Sequence, residues 1–129
     1  MLARAQDRPG SQAILIVEDS LLDQRIMARV VRRCHASVPL VVADTLAAAR
    51  RELARQSIRH IFLDNALPDG KGADFVMELV ESGLIRQIPV TLVTDAPSPF
   101  MFAKARHAGI TVLQKAEFVP ARVEALLSA

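Results

Sequence analysis

Short apolar runs and amphipathic segments alternate along this chain of 129 residues. Five of the runs are predicted to be strands buried on both faces, because a strand covered on one face only would alternate apolar and polar positions. The segments between them carry apolar residues at helical spacing. The predicted strands are 13–17, 39–43, 61–63, 89–93 and 110–113, and the predicted helices are 20–34, 46–56, 73–82, 100–107 and 120–127.

The first helix has both a start signal and an apolar stripe. Asp19 or Ser20 is expected to cap it, since a short polar side chain accepts a hydrogen bond from the free N–H groups of a first helical turn. Leu22, Ile26 and Val30 follow at intervals of four residues. Their spacing predicts that this face of the helix packs against the sheet.

The order of these elements predicts the fold. Strand and helix alternate five times, which is typical of βαβ units and of a parallel sheet covered on both faces. Right-handed crossovers leave few topologies. We therefore predict an α/β fold, a doubly wound five-stranded parallel sheet of flavodoxin-like order 2-1-3-4-5 with helices on both faces. One domain is expected over residues 13–129, after a flexible N-terminal tail at residues 1–12.

Composition excludes several other classes of protein. Hydrophobic residues make up 51% of the chain and charged residues 23%, as in soluble globular domains. No apolar run is long enough for a membrane span, the first twelve residues lack a signal peptide's apolar segment, and the single Cys34 cannot form an internal disulfide. A cytoplasmic location is the expectation.

The basic residues are interpreted as surface residues. The arginine pairs lie among acids at helical spacing and are interpreted as solvated helix faces. The three histidines, His35, His60 and His107, are also expected at the surface.

Polar residues follow four of the predicted strands at their carboxyl ends. Glu18 and Asp19 follow the first strand, Asp64 the third, Thr94 the fourth and Lys115 the fifth. The first and third strands are neighbours in the predicted order, so their three carboxylates should meet where such sheets bind ligands. Close carboxylates repel one another unless a cation is present. Oxygen donors of this kind favour Mg²⁺.

The lysine and the threonine indicate that further negative charge arrives at this site. A phosphoryl group on Asp64 would bring three acceptor oxygens. Mg²⁺, Lys115 and the Thr94 hydroxyl could each take one of them. Phosphoryl transfer requires little from a protein beyond positioning and charge neutralisation.

From about residue 13 to residue 127 the chain resembles the receiver domain of bacterial two-component response regulators. The matching segments are "ILIVEDS", "FLDNALPDGKG", "PVTLVTD", "ARHAGI" and "VLQK", in this order. The resemblance implies that Asp64 is the phosphoacceptor. It also implies the rest of the site: metal ligation by Glu18 (mainly through water), Asp19, Asp64 and the backbone carbonyl of Ala66, with Thr94 as the switch hydroxyl and Lys115 as the lysine that pairs with the phosphate.

The resemblance implies partners as well. The phosphoryl group would come from a histidine kinase or a histidine phosphotransfer protein, and the signal would pass by protein–protein contact, without nucleic acid or membrane. The only catalysis expected is phosphorylation and dephosphorylation of the protein itself. We expect a stand-alone receiver; a homodimer through the fourth helix, fifth strand and fifth helix is left open.

Three positions depart from the family pattern around the site. Val112 stands where the family often has an aromatic residue, and Asp95 stands where it usually has a small one. Asp95 either caps the fourth helix, the interpretation we favour, or alters the rate of phosphorylation. Ala116 replaces the usual proline after Lys115, so the peptide bond there is expected to be trans.

Prolines precede the fourth helix. Pro97 and Pro99 each lack an N–H and push the preceding residue out of helical geometry. The helix is therefore predicted to begin late, near Pro99 or Phe100.

Two other functions are compatible with parts of this pattern. A phosphorylation-independent interaction module with the same fold would explain Asp95, Val112 and Ala116. A phosphohydrolase of the haloacid dehalogenase type would share the Asp, Thr, Lys and Mg²⁺. Such enzymes carry a second Asp two residues after the nucleophile, where this chain has Ala66.

Overall fold

The structure of the protein is a computed structural model that describes residues 12–128, without the side chains of Phe100 and Phe102. Residues 1–11, most of the predicted tail, lie outside the described residues. The strands of the main sheet are β1 (Ala13–Val17), β2 (Leu40–Ala43), β3 (Ile58–Asp64), β4 (Val90–Thr94) and β5 (Thr111–Gln114). The helices are α1 (Leu21–Cys34), α2 (Leu46–Arg55), α3 (Gly72–Ser82), α4 (Pro99–Ala108) and α5 (Pro120–Ser128).

The five strands form one parallel sheet in the order β2-β1-β3-β4-β5. This confirms the predicted doubly wound α/β fold. Val17 at the end of β1 is in register with Leu63, and Asp64 at the end of β3 is in register with Val93 of β4. The carboxyl ends of β1, β3 and β4 therefore lie side by side at one edge of the sheet.

Alternate residues of the strands belong to two apolar layers, one on each face of the sheet. Leu15 and Ile61 belong to the layer that includes the buried residues of α2 and α3. Ile16 and Phe62 belong to the layer formed with α1 and α5. Within residues 12–128, none of the helices has the length and apolar composition needed to cross a bilayer.

The apolar stripe predicted for α1 is wrong at Leu22 and Ile26, whereas Val30 is partly buried against the core. Ser20 caps the helix as expected, but Leu22 is 68% exposed and Ile26 49% exposed, while Met27 and Val31 are buried. Apolar residues surround more of α1 than one packed face can bury, so spacing alone could not choose the buried side. The unburied set lies near the start of α1, at the same edge of the sheet as the acidic residues.

The segment after β3 is a short antiparallel hairpin rather than a plain loop. Its strands are Ala66–Leu67 and Gly70–Lys71. At its tip, the carboxylate of Asp69 accepts hydrogen bonds from the N–H groups of Leu46, at 2.8 Å, and Ala47, at 3.0 Å. These N–H groups hold the pKa of Asp69 below its ordinary value. The hairpin is thereby anchored to the first turn of α2.

The prediction that His60 lies at the surface is also wrong. Strand β3 begins at Ile58, three residues earlier than predicted, which places His60 inside the sheet. Its side chain is buried, with Nε2 at 2.9 Å from the hydroxyl of Thr91. The ring packs against Phe62, with 4.5 Å between the ring centres.

The late start of the fourth helix is confirmed, and its predicted cap is wrong. Helix α4 begins at Pro99 and is capped by Ser98, whose hydroxyl accepts a hydrogen bond from the N–H of Met101 at 3.1 Å. Asp95 lies too far before the first turn to cap it, because the two prolines delay that turn. The described backbone contains no cis peptide bond, which agrees with the trans bond expected before Ala116.

Candidate functional site

Three carboxylates meet where β1 and β3 end. Glu18 and Asp19 directly follow β1, and Asp64 is the last residue of β3. Oxygen atoms of these three side chains lie within 4.8 Å of one another. We call Glu18, Asp19 and Asp64 the acidic cluster. The parallel register of the two central strands brings it together, as the sequence predicted.

Glu18 is the most deeply buried member of the cluster, with 0% of its surface exposed. One carboxylate oxygen accepts a hydrogen bond from the N–H of Ser20 at 3.0 Å, and the other lies 2.7 Å from the ammonium of Lys115. Burial raises the pKa of Glu18, and these two contacts only partly oppose it. Asp19, by contrast, is exposed.

Asp64 is also buried, with 5% of its surface exposed. Its carboxylate accepts hydrogen bonds from the N–H of Asn65, at 2.8 Å, and from the N–H of Ala66. Burial raises the pKa of Asp64, while Lys115 and the two N–H groups act against that shift. The backbone therefore fixes the direction of a carboxylate whose charge is poorly hydrated.

Gly72 allows α3 to begin directly against the end of β3. Its N–H donates to the carbonyl of Asn65 at 2.8 Å, and the Asn65 side chain accepts from the N–H of Ala73 at 3.0 Å. A Cβ atom at Gly72 would lie 2.3 Å from the backbone oxygen of Asp64. Only glycine fits this contact, which holds the backbone that carries Asp64.

Lys115 points into the cluster from the segment after β5. Its ammonium nitrogen lies 2.7 Å from Glu18 and 2.7 Å from Asp23, but 3.7 Å from Asp64. Burial alone would lower the pKa of Lys115. The hydrogen bond to Asp23, the ion pair with Glu18 and the charge of Asp64 outweigh burial and raise that pKa above its ordinary value.

Two carboxylates near Lys115 were not predicted to contact it. Asp23, in the first turn of α1, makes the 2.7 Å contact, and Asp95 lies 3.8 Å from the ammonium with its side chain 80% exposed. The available signal for Asp23 was its position four residues after Asp19, about one helical turn. For Asp95 the signal was its place directly after Thr94.

Thr94 ends β4 beside the acidic cluster. It follows Val93, the register partner of Asp64, and its side chain is buried. Ala66 begins the hairpin after Asp64 and is exposed. Val112, at the position where the family often has an aromatic residue, is half-buried on β5. The predicted site residues thus lie at one edge of the sheet.

The family model described as "Response regulator receiver domain" matches residues 14–125 of this chain. The chain therefore belongs to the response regulator receiver domain family. A two-component response regulator of rice, ORR3 from Oryza sativa subsp. indica, is 27% identical over 96 residues, which cover 74% of this chain and 72% of the relative. These matches identify a receiver domain of two-component response regulators.

Solved structures with the same fold include other response regulators. A two-component response regulator from Legionella pneumophila has a TM-score of 0.77 at 20% identity, covering 92% of this chain and 96% of its own. The Mn²⁺-bound form of response regulator Rcp1 has a TM-score of 0.75 at 23% identity, covering 91% and 92%. At these identities the likeness concerns the fold.

Proposed function

We propose that this receiver domain accepts a phosphoryl group on Asp64 and signals through the change in charge and contacts that follows. One observation carries the proposal: the buried carboxylate of Asp64 lies among two other carboxylates and 3.7 Å from the ammonium of Lys115. The site thus combines a nucleophile, a cation and donors for a divalent metal ion. Neither a packing role nor a helix cap needs all three.

The chemistry of the donors fits Mg²⁺. The carboxylate oxygens of the acidic cluster lie within 4.8 Å of one another, and burial raises the pKa of Glu18 and Asp64. A divalent cation would offset the mutual repulsion of these closely spaced carboxylates. The proposed ligands are Asp19, Asp64, the carbonyl of Ala66 and, mainly through water, Glu18. A response regulator with this fold, Rcp1, has been solved in a Mn²⁺-bound form, which supports binding of a divalent ion. When bound, Mg²⁺ supplies charge neutralisation at the phosphoryl oxygens.

The transfer itself needs one nucleophile. A carboxylate oxygen of Asp64 attacks the phosphorus of a phosphohistidine, an O–P bond forms, and the N–P bond breaks with its electron pair returning to the imidazole. Lys115 then pairs with one phosphoryl oxygen, and the Thr94 hydroxyl donates to another. Attack of water on phosphorus releases inorganic phosphate and restores Asp64. No other catalysis is proposed.

The donor is proposed to be a histidine kinase or a histidine phosphotransfer protein in the cytoplasm. The start of α1 supports a protein donor, because Leu21, Leu22 and Ile26 are 69%, 68% and 49% exposed beside the acidic cluster. An apolar patch of this kind next to a reactive group suits contact with another protein. Thr94 lies next to β5, so the phosphorylated state is expected to reach a downstream protein through α4 and β5.

A phosphorylation-independent interaction module remains a second candidate. The observation that favours it is the ammonium of Lys115, which already contacts Glu18 and Asp23 at 2.7 Å and therefore already has partners without a phosphoryl group. A phosphohydrolase of the haloacid dehalogenase type has no such support, since Ala66 offers no acid–base side chain.

Intact-mass measurement with acetyl phosphate tests the proposal. The wild type should gain one phosphoryl group when Mg²⁺ is present and none when the metal is chelated. Asp64→Asn should gain none, because the amide is not a nucleophile, while Asp95→Asn serves as a charge-matched control that should still be labelled. Undiminished labelling of Asp64→Asn would contradict the assignment. No labelling of the wild type, with acetyl phosphate or a phosphohistidine donor, would favour the interaction module.

A further inference from the structure

The ammonium of Lys115 has two close partners, and only one of them belongs to the acidic cluster. Glu18 and Asp23 each lie 2.7 Å from the nitrogen, whereas Asp64, the proposed phosphoacceptor, lies at 3.7 Å. Of the three N–H donors of the ammonium, one makes a hydrogen bond to Asp23, away from Asp64. Asp23 projects from the first turn of α1, and its carboxylate is not part of the acidic cluster.

We propose that Asp23 is a positioning residue that holds Lys115 away from Asp64 and competes with an incoming phosphoryl group for the lysine ammonium. The inference rests on the proposed function. It adds a brake: Lys115 must release Asp23 in order to move toward Asp64 and pair with a phosphoryl oxygen there. The brake is set by a helix residue, not by the strand-end residues that carry the chemistry.

Burial decides which of the two lysine contacts gives way. Glu18 has only 1% of its side chain exposed, so it would be left as a buried, unpaired charge if Lys115 moved away. The side chain of Asp23 is 29% exposed, and water can replace the lysine there. Lys115 should therefore keep Glu18 and release Asp23.

Asp95 provides a charge-matched control for this competition. It carries the same charge as Asp23 and also lies near the ammonium, but at 3.8 Å with its side chain 80% exposed. Water screens such a contact strongly. If Asp23 acted only through its negative charge near the site, neutralising Asp95 would have a comparable effect.

Calorimetric titration with beryllofluoride, a mimic of the phosphoryl group, tests the proposal in the presence of Mg²⁺. Asp23→Asn should bind the mimic about fivefold more tightly than wild type, as expected for losing a competing ion pair of moderate strength. Asp95→Asn should change the affinity by less than about twofold. Asp23→Glu, which keeps the carboxylate, should return the affinity toward that of wild type.

Side-chain NMR supplies a readout that a structural role for Asp23 would not move. The chain contains three lysines, Lys71, Lys104 and Lys115, so lysine labelling gives a simple spectrum. The Lys115 signal should move when beryllofluoride binds to wild type. In Asp23→Asn the free protein should already show part of that movement, and in Asp95→Asn it should not.

The outcomes separate this inference from the proposed function. If wild type binds beryllofluoride and is labelled by acetyl phosphate, but Asp23→Asn and Asp95→Asn behave alike, the brake is wrong and the proposed function stands. Equal affinities of Asp23→Asn and Asp23→Glu would overturn it in the same way. If wild type neither binds the mimic nor gains a phosphoryl group, the proposed function fails, and the brake fails with it.

Discussion

His60 and Asp64 lie four residues apart on β3, and burial favours the neutral form of both side chains. It lowers the pKa of His60 to about 4, helped by the nearby positive charge of Arg59. It raises the pKa of Asp64. The histidine has the hydroxyl of Thr91 as a neutral partner at 2.9 Å. The carboxylate instead faces the ammonium of Lys115 and two further carboxylates.

Because His60 is buried, we expect it to contribute less to the stability of the protein in acid than at neutral pH. Its folded-state pKa, about 4, lies below the ordinary value of 6.5. Between these values the unfolded form of the histidine binds more protons, so the contribution of His60 to the free energy of unfolding should fall as the pH drops from 6.5 through 4, by on the order of 3 kcal/mol in all. The raised pKa values of Glu18 and Asp64 act in the opposite direction. Urea unfolding across this range measures the loss.

Two variants isolate the contribution of His60. His60→Gln should flatten this part of the pH dependence, because the amide does not titrate. His107→Gln is the matched control, since His107 is exposed on α4 and should leave the dependence as in wild type. An unchanged acid slope in His60→Gln would show that the loss arises elsewhere.

Single residues differed in how well the sequence could predict them. Asp64, Thr94 and Lys115 were predictable because parallel strands bring their carboxyl ends to one edge of a sheet. Asp23 was not, because its contact with Lys115 depends on how α1 lies across the sheet. The burial of His60 was missed because polar residues at a strand's start resemble the turn before it.

At the scale of elements, the junction between β3 and α3 depends on a glycine. Gly72→Ala should destabilise the protein by about 2 kcal/mol, since overpacking a tight contact forces the backbone to move. The added methyl group would lie 2.3 Å from the Asp64 carbonyl oxygen. Mg²⁺ affinity, measured by calorimetry, should fall as well, because the displaced backbone carries proposed metal ligands.

Gly83 offers a matched control for this variant. Its φ is +80°, and among the described residues no atom beyond the adjoining chain lies within 4 Å of the place that a Cβ would take. Gly83→Ala should therefore lose about 1 kcal/mol from backbone strain alone. Its Mg²⁺ affinity should stay at the wild-type value, because Gly83 follows the C-terminal end of α3 and the site adjoins the N-terminal end of that helix. Wild-type Mg²⁺ affinity in Gly72→Ala would contradict the role assigned to Gly72.

Element types followed from the sequence more readily than their ends and contacts. Continuous apolar runs predicted all five strands of the main sheet, and apolar residues at helical spacing predicted the helices between them. The hairpin after β3 was missed because its strands have two residues each, too few for a periodic pattern. The hairpin is anchored by the hydrogen bonds of Asp69 to the first turn of α2. These bonds join residues more than twenty positions apart, and no local rule predicts such a contact.

At the scale of the whole molecule, the topology gathers the charge. The order β2-β1-β3-β4-β5 places the ends of β1 and β3 together, and Asp23 and Asp95 add two carboxylates from a helix and a loop. Five carboxylates therefore lie near one lysine. A phosphoryl adduct seen by intact mass could sit on any of them, so its position must be determined directly.

Locating the phosphoryl group by borohydride reduction tests the central claim most directly. Borohydride converts an aspartyl phosphate into homoserine, which marks the residue permanently. Cleavage by trypsin after Arg59 and Lys71 separates Asp64 from Asp19, Asp23 and Asp95. The account predicts homoserine at position 64 alone, formed only with Mg²⁺ and a phosphodonor. Homoserine at any of the other three aspartates, with position 64 unchanged, would contradict it.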